Sequence, residues 1–256
     1  MKRYKKLICC TLLAGFLLSI SSSAVFVNGG ETQRTIYGYT YSFYSSIGKN
    51  DTTGEVYGNT SIESLSGTVP AGYMGACQRL FTSSGALSKS GEWRYNDVEA
   101  TILVHYPIYA GKAGTYYSQG LVKFYDGDGY TTSLSTKASP NLQQYGRTNS
   151  PSLPTLLQSN SSGMTYGSAL FSPVEPDLIL AEGVSGCIGY VKSSDLNGIN
   201  PSTIDEALTV QASAPLTRTI PLYTSDGTTI IDSFVVEKTL PIPQDVARLY
   251  LENGQL

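Results

Sequence analysis

The chain has 256 residues, 41% of them hydrophobic and only 14% charged, with 26 Gly, 19 Tyr and a single His. That balance excludes a disordered chain or a coiled coil, both of which need more charge and fewer aromatic residues. Four of the 17 basic residues and none of the 20 acidic ones fall in residues 1–28, which leaves 13 against 20, a net charge of −7, and opposes nucleic acid or an anionic membrane as a partner.

Residues 1–28 read as an export signal. Lys2, Arg3, Lys5 and Lys6 form a cationic start, Leu7 to Ile20 an apolar run, and Ser21 to Ala24 the small residues a signal peptidase accepts. The apolar run is too short and too asymmetrically flanked for a transmembrane helix, so the expectation is a secreted, extracellular protein with no stable membrane anchor. Beyond it only Cys77 and Cys187 remain. An oxidising exterior allows them to form a disulfide, and the alternative is two small buried thiols.

Residues 32–140 read as one β-rich unit. Thr35 to Tyr44 alternates with Tyr37, Tyr39, Tyr41 and Phe43 on one face, the period of a half-buried strand. Further strands are predicted over 54–57, 60–66, 71–82, 91–95, 98–106 and 116–125, separated by turn chemistry such as Ser83-Ser84-Gly85 and Asp126-Gly127-Asp128-Gly129. Short strands without helical periodicity between them predict an antiparallel β-sandwich.

Residues 141–163, with Pro151 and Pro154 among Asn, Gln and Ser, read as a linker. Residues 164–256 read as a small α+β module. Strands are predicted over 177–182, 189–191, 221–223 and 228–236, a helix over 203–211 from the capping-box spacing of Thr203 and Glu206, and a last helix over 243–252 with Val246, Leu249 and Tyr250 on one face.

Two sets of strings carry a resemblance. Val69 to Ala76, Arg79-Leu80-Phe81, Trp93 to Asn96 and Gly114 to Gly120 form the first; Glu175 to Ile179, Gly189 to Leu196 and Ile220 to Tyr223 form the second. Together they resemble uncharacterised two-domain secreted proteins of Gram-positive bacteria. The resemblance implies export and two modules, and it brings no activity, cofactor or catalytic residue with it.

Chemistry is sparse. A single imidazole, His105, excludes a two-histidine zinc motif, and no cofactor or metal is expected. The available covalent-catalysis set is Cys77 or a carboxylate such as Glu99 with His105, which would make a secreted hydrolase; the bland reading of His105 is an ordinary, partly exposed strand position. Ser46-Ile47-Gly48-Lys49 matches a Ser-x-x-Lys pattern without companion motifs, and Asp126 to Gly129 reads better as an Asp-Gly turn than as a calcium loop. Alternating Ser/Thr-rich strands also admit a pore-forming or antagonistic protein. The aromatic residues Trp93, Tyr95, Tyr116, Tyr117, Tyr125 and Tyr130 are the most suggestive, because aromatic platforms stack on sugar rings or peptides. The favoured expectation is therefore a non-enzymatic secreted protein that binds cell-wall glycan or an extracellular protein.

Overall fold

The computed structural model describes residues 25–50, 53–144 and 157–253. Val25–Asn28, assigned by sequence to the end of the export segment, is strand β1; the rest of that segment lies outside the described residues. The alternating Tyr run breaks into β2 (Thr32–Ile36) and β3 (Tyr39–Lys49), joined by a two-residue turn at Tyr37 (φ 50°) and Gly38 (φ 83°). Two consecutive positive φ values give the turn whose twist matches a hairpin. Next come β4 (Val56–Ser64), β5 (Met74–Cys77), β6 (Arg79–Thr82), β7 (Leu87–Gly91), β8 (Arg94–Tyr95), β9 (Ile102–Tyr109), β10 (Gly114–Ser118), β11 (Leu121–Phe124), β12 (Leu134–Ser135) and β13 (Leu142–Gln144).

The expected strands 71–82 and 116–125 are each two strands. The first divides at Gln78 and the second at Gln119 and Gly120, and at both points the chain leaves one sheet for another. β5 and β11 pair with each other in a four-stranded sheet ordered β12-β11-β5-β8, while β6 and β10 pair in the largest sheet. A five-stranded sheet, β1-β3-β4-β9 with β2 alongside β3, is packed against both. Tyr41, Phe43 and Ile62 meet Met74, Val122 and Phe124 at one end. Ile47, Val56 and Ile108 meet Leu80 and Tyr116 at the other.

The remaining elements are β14 (Gln158–Ser159), β15 (Thr165–Gly167), β16 (Leu178–Glu182), β17 (Ile188–Lys192), α1 (Ser193–Asn197), α2 (Ile204–Ser213), β18 (Thr217–Tyr223), β19 (Ile230–Glu237) and α3 (Gln244–Asn253). α2 begins where the capping signal placed it: Thr203 Oγ1 accepts from Glu206 N at 3.2 Å, and Glu206 Oε2 accepts from Ser202 N at 2.8 Å. α3 packs through Val246 and Ala247 beside Ile102 and Val104 of β9, whereas Leu249, expected on its inner face, is exposed.

The protein is mainly β, with antiparallel sheets and a small barrel. β16 to β19 form an antiparallel run, and β7, parallel to both β16 and β19, closes it. The closing strand comes from the first half of the sequence, and Phe81 and Leu87 share one core with Ile179, Val191, Leu222 and Phe234. Strand pairing therefore crosses the boundary expected at 141–163. The described ends of that stretch are strands themselves, β13 on β10 and β14 on β15, while residues 145–156 lie outside the described residues. All four salt bridges among the described residues span the same boundary: Arg79–Glu175, Lys89–Glu237, Lys112–Glu182 and Glu92–Arg218.

Candidate functional site

The link from β7 to β8, Glu92-Trp93, is fixed from both sides. Glu92 N donates to Glu237 O at 2.9 Å, and Tyr95 N donates to the Gln211 side chain of α2. Arg218 holds the Glu92 carboxylate with two nitrogens, at 2.7 and 3.2 Å, and donates on to the Leu196 carbonyl at 3.0 Å. Immediately after the link, Asn96 accepts from Met74 N at 2.9 Å and donates to Pro70 O and Val98 O, which sets the direction of the chain leaving β8.

Trp93, Tyr95 and Tyr130 surround one cation. Lys123 Nζ lies 3.9, 5.7 and 5.9 Å from their ring centroids and donates to Asn200 Oδ1 at 3.1 Å. Lys123 alternates with Val122 and Phe124 along β11, so it faces away from the core those two fill and toward the three rings and Asn200. Burial pushes its amine down to about 8.

From this clamp a chain of ring contacts runs across the molecule. Tyr95 meets Tyr130 at 5.1 Å, Tyr130 meets Tyr125 at 6.0 Å, and Tyr125 meets Tyr73 and Tyr37 at 5.2 and 5.9 Å. Tyr73 continues to Tyr39, and Tyr39 to Tyr41, Phe124 and Phe43, so that ten rings are linked from Trp93 to the core. Tyr37 stands 57% exposed on its hairpin turn; Tyr39, Tyr73, Tyr125, Tyr130 and Trp93 are half-buried. The result is a stripe of aromatic edges and faces, inner rings in the core and outer ones in water, held by the Asp126 turn. Asp126 Oδ1 accepts from Asp128 N and Gly129 N, both at 3.1 Å, which is turn chemistry and leaves that oxygen engaged.

Two clefts flank Trp93 at the end of this stripe. One, of about 290 Å³, runs between Trp93, Tyr95, Ile199, Pro201, Val210 and Pro215; the other, of about 450 Å³, lies between Trp93, Arg94, Leu208, Lys238, Thr239 and Leu240. Trp93, Tyr95 and Tyr130 thus come together, and Tyr125 joins them, but Tyr95 is only 2% exposed and serves as the buried link between Trp93 and Tyr130. Tyr116 and Tyr117 do not: Tyr116 is buried with its hydroxyl on Lys112 O, and Tyr117 packs edge-on against Phe171. Tyr37, Tyr39 and Tyr73 also belong to the stripe; in the sequence they stand in an alternating run and after Gly72, and nothing local joins them to Trp93.

The residues of the hydrolase alternative are placed otherwise. Cys77 is buried and donates to Gly91 O at 3.2 Å, and burial raises its thiol, against the charge of Arg79. His105, expected to be partly exposed, is instead fully buried on β9 against the same glycine, where a Cβ would come within 2.6 Å of Nε2. Its Nε2 lies 2.9 Å from Glu92 O and its Nδ1 3.2 Å from Tyr106 O. Glu99 is exposed in the bend before β9. Cys77 and Cys187 do not form the disulfide that compartment alone allowed: Cys77 is a free thiol in the interior, and Cys187 is a free, exposed one beside Ser185. Ser46 of the Ser-x-x-Lys match is buried mid-strand in β3. β3 and β4, the longest hairpin, are buried along nearly their whole length, and among the described residues no helix is long and apolar enough to cross a membrane.

Burial holds the His105 imidazole down to about 4, with Arg94 adding to the effect and the two carbonyls opposing it. The unfolded chain takes up this proton near the ordinary value of about 6.5, before the folded one does. Stability from this group is therefore complete above about pH 6.5 and is lost as pH falls toward 4, by about 3 kcal/mol in all. Urea unfolding at pH 7.5, 5.5 and 4.5 measures the slope, and His105→Gln flattens it. An unchanged slope in the variant would assign the acid loss to carboxylates instead.

Comparison of the chain with family models, curated proteins and solved structures gives no match.

Proposed function

We propose that the protein is a secreted, non-enzymatic binder of cell-wall glycan, and that sugar rings stack along the aromatic stripe that runs from Tyr37 to Trp93. The observation that carries this reading is the stripe itself: Tyr37, Tyr73, Tyr125, Tyr130 and Trp93 reach solvent, tied to the core through buried rings that include Tyr95, and the row ends at two clefts. Aromatic faces gain both apolar burial and C–H contact from a pyranose, and a rigid row of rings loses little conformational freedom on binding. Shared cores between the five-stranded sheet and the sheets of β5–β11 and β6–β10 support an antiparallel β-sandwich as the platform. The small barrel with α1 and α2 supports a second, α+β unit that supplies the far wall of both clefts. A cationic, apolar and small-residue start to the chain supports export to the compartment where such a ligand is found.

The test is co-sedimentation of the full-length mature protein with isolated cell walls and with protein-free wall glycan. Tyr37→Ser is the cleanest variant, because an exposed turn residue can be shortened without opening the core. A contact of about 1.4 kcal/mol corresponds to tenfold in affinity, so a roughly tenfold weaker binding at unchanged melting temperature is expected for Tyr37→Ser, and a larger loss for Trp93→Ala. Binding to walls but not to protein-free glycan would redirect the reading to a protein partner, and no sedimentation with either would end it.

A further inference from the structure

The second cleft is lined by a cation, Arg94, that forms no ion pair at contact distance among the described residues. Arg94, on β8, is only 7% exposed and faces this cleft, yet its Nε has no hydrogen-bond partner and it forms no salt bridge among the described residues. Of the other charged groups lining the cleft, Glu92 and Lys238 are engaged, and Asp97 is the carboxylate whose charge acts on Arg94. The Glu92 carboxylate is held by Arg218, the Lys238 amine donates to Ala212 O and Ala214 O at the end of α2, and Asp97 is exposed nearby without an ion pair to Arg94. In the same cleft Thr239 Oγ1 is also buried without a partner. Buried guanidinium is normally paired, since leaving its donors unsatisfied in a poorly solvated site is costly. A guanidinium and a hydroxyl lining one cleft, with Trp93, Leu208 and Leu240 forming the apolar walls, suit an oxyanion carried on a ring or other apolar body.

We infer that the cleft of Arg94 and Thr239 is a recognition site for an oxyanion group, a carboxylate or a phosphate, on the molecule the protein binds. The inference deepens the glycan reading by making the preferred glycan acidic, and it fails separately from that reading: neutral sugars can stack on the stripe without occupying Arg94.

Trp93 is the chain's only tryptophan and lines the cleft, so intrinsic fluorescence reports occupancy directly. The full-length mature protein is titrated with N-acetylmuramate, with glycerol phosphate and with neutral N-acetylglucosamine. Saturable quenching by one of the two anions, at least tenfold tighter than by the neutral sugar, is expected, and the tighter of the two identifies the anion. Arg94→Gln should weaken that binding by about 30-fold and bring it to the level of the neutral sugar. Asp97→Asn, at an exposed position, removes the competing carboxylate and should tighten anion binding about threefold. Equal binding of anions and neutral sugar overturns the inference and leaves the glycan reading standing; quenching by none of the three overturns it outright. Where Arg94→Gln does not fold, Asp97→Asn decides, and an anion affinity unchanged by that variant counts against the site.

Discussion

Gly120→Ala is expected to cost about 4 kcal/mol, as much as a large cavity in the core, although it adds a single methyl group. Gly120 sits where the chain passes from β10 to β11, and its N–H donates to Ser45 Oγ at 2.8 Å and to Thr136 Oγ1 at 3.0 Å. A Cβ there would overlap Thr60 Oγ1 and come within 2.6 Å of the Cys77 carbonyl oxygen. Thr60 cannot simply rotate away. It is fully buried, it donates to Gln78 Oε1 at 2.7 Å, and it lies 3.1 Å from Ser45 Oγ. Gln78 in turn donates to Ser118 Oγ and Arg79 O, so moving Thr60 strips partners from the residue at the other sheet crossing. Overpacking contributes about 1–3 kcal/mol and an unsatisfied buried polar group about the same again. In a chain of this size that lowers the melting temperature by about 10 °C. Thr60→Ala should cost less on its own and should restore part of the loss in the Gly120→Ala background, because the oxygen in collision has gone. Calorimetry of the two single variants and the double variant measures this. Purely additive losses would show that the clash is relieved elsewhere.

That network also marks the limit of what could be read from the sequence. α2 was legible because its start is a local device, Thr203 and Glu206 three residues apart, and the strands were legible wherever polar and apolar residues alternate without interruption. The hairpin at Tyr37-Gly38 was not, because the alternation of Tyr37, Tyr39, Tyr41 and Phe43 runs straight through it and a Tyr at positive φ gives no turn signal. The crossings at Gln78 and Gln119-Gly120 were hidden for a related reason: each is one or two residues inside a continuous strand-like string, and only the partners contributed by β3, β4 and residue 136 explain them. Barrel closure by β7 joins residues far apart in sequence, and propensity carries no information on that. At the candidate site, aromatic character points to Trp93, Tyr95 and Tyr130, and it equally points to Tyr116 and Tyr117, which strand pairing sends to the other sheet.

Removing one partner of the Arg79–Glu175 pair is expected to destabilise the protein by about 3–5 kcal/mol, far beyond the cost of an exposed ion pair. Arg79 is 1% exposed on β6, and its Nη1 donates to Glu175 Oε2 at 2.5 Å while its Nη2 donates to Asn197 Oδ1 at 2.8 Å. Glu175 Oε1 accepts from Asn197 Nδ2 at 2.6 Å and from the Ser193 hydroxyl. Burial alone would raise the Glu175 carboxyl; Arg79 and these donors outweigh it, and the group is held below the ordinary range. Arg79→Met leaves a carboxylate in a poorly solvated site, and Glu175→Gln leaves a guanidinium there, so either costs more than the pair itself contributes. The Arg79→Met, Glu175→Leu double variant, which removes both charges, should therefore lose much less stability than the sum of the single losses. Because the folded carboxyl titrates below its unfolded value, the contribution of the pair is complete at neutral pH and is lost as pH falls through that lowered value. The penalty of Arg79→Met, measured by urea unfolding, should shrink between pH 7 and pH 3. A penalty independent of pH would mean that Arg79 acts by filling space between β6 and α1. A pH-dependent one would mean that the charge of this pair fastens β6 to α1 and the segment leading into β16.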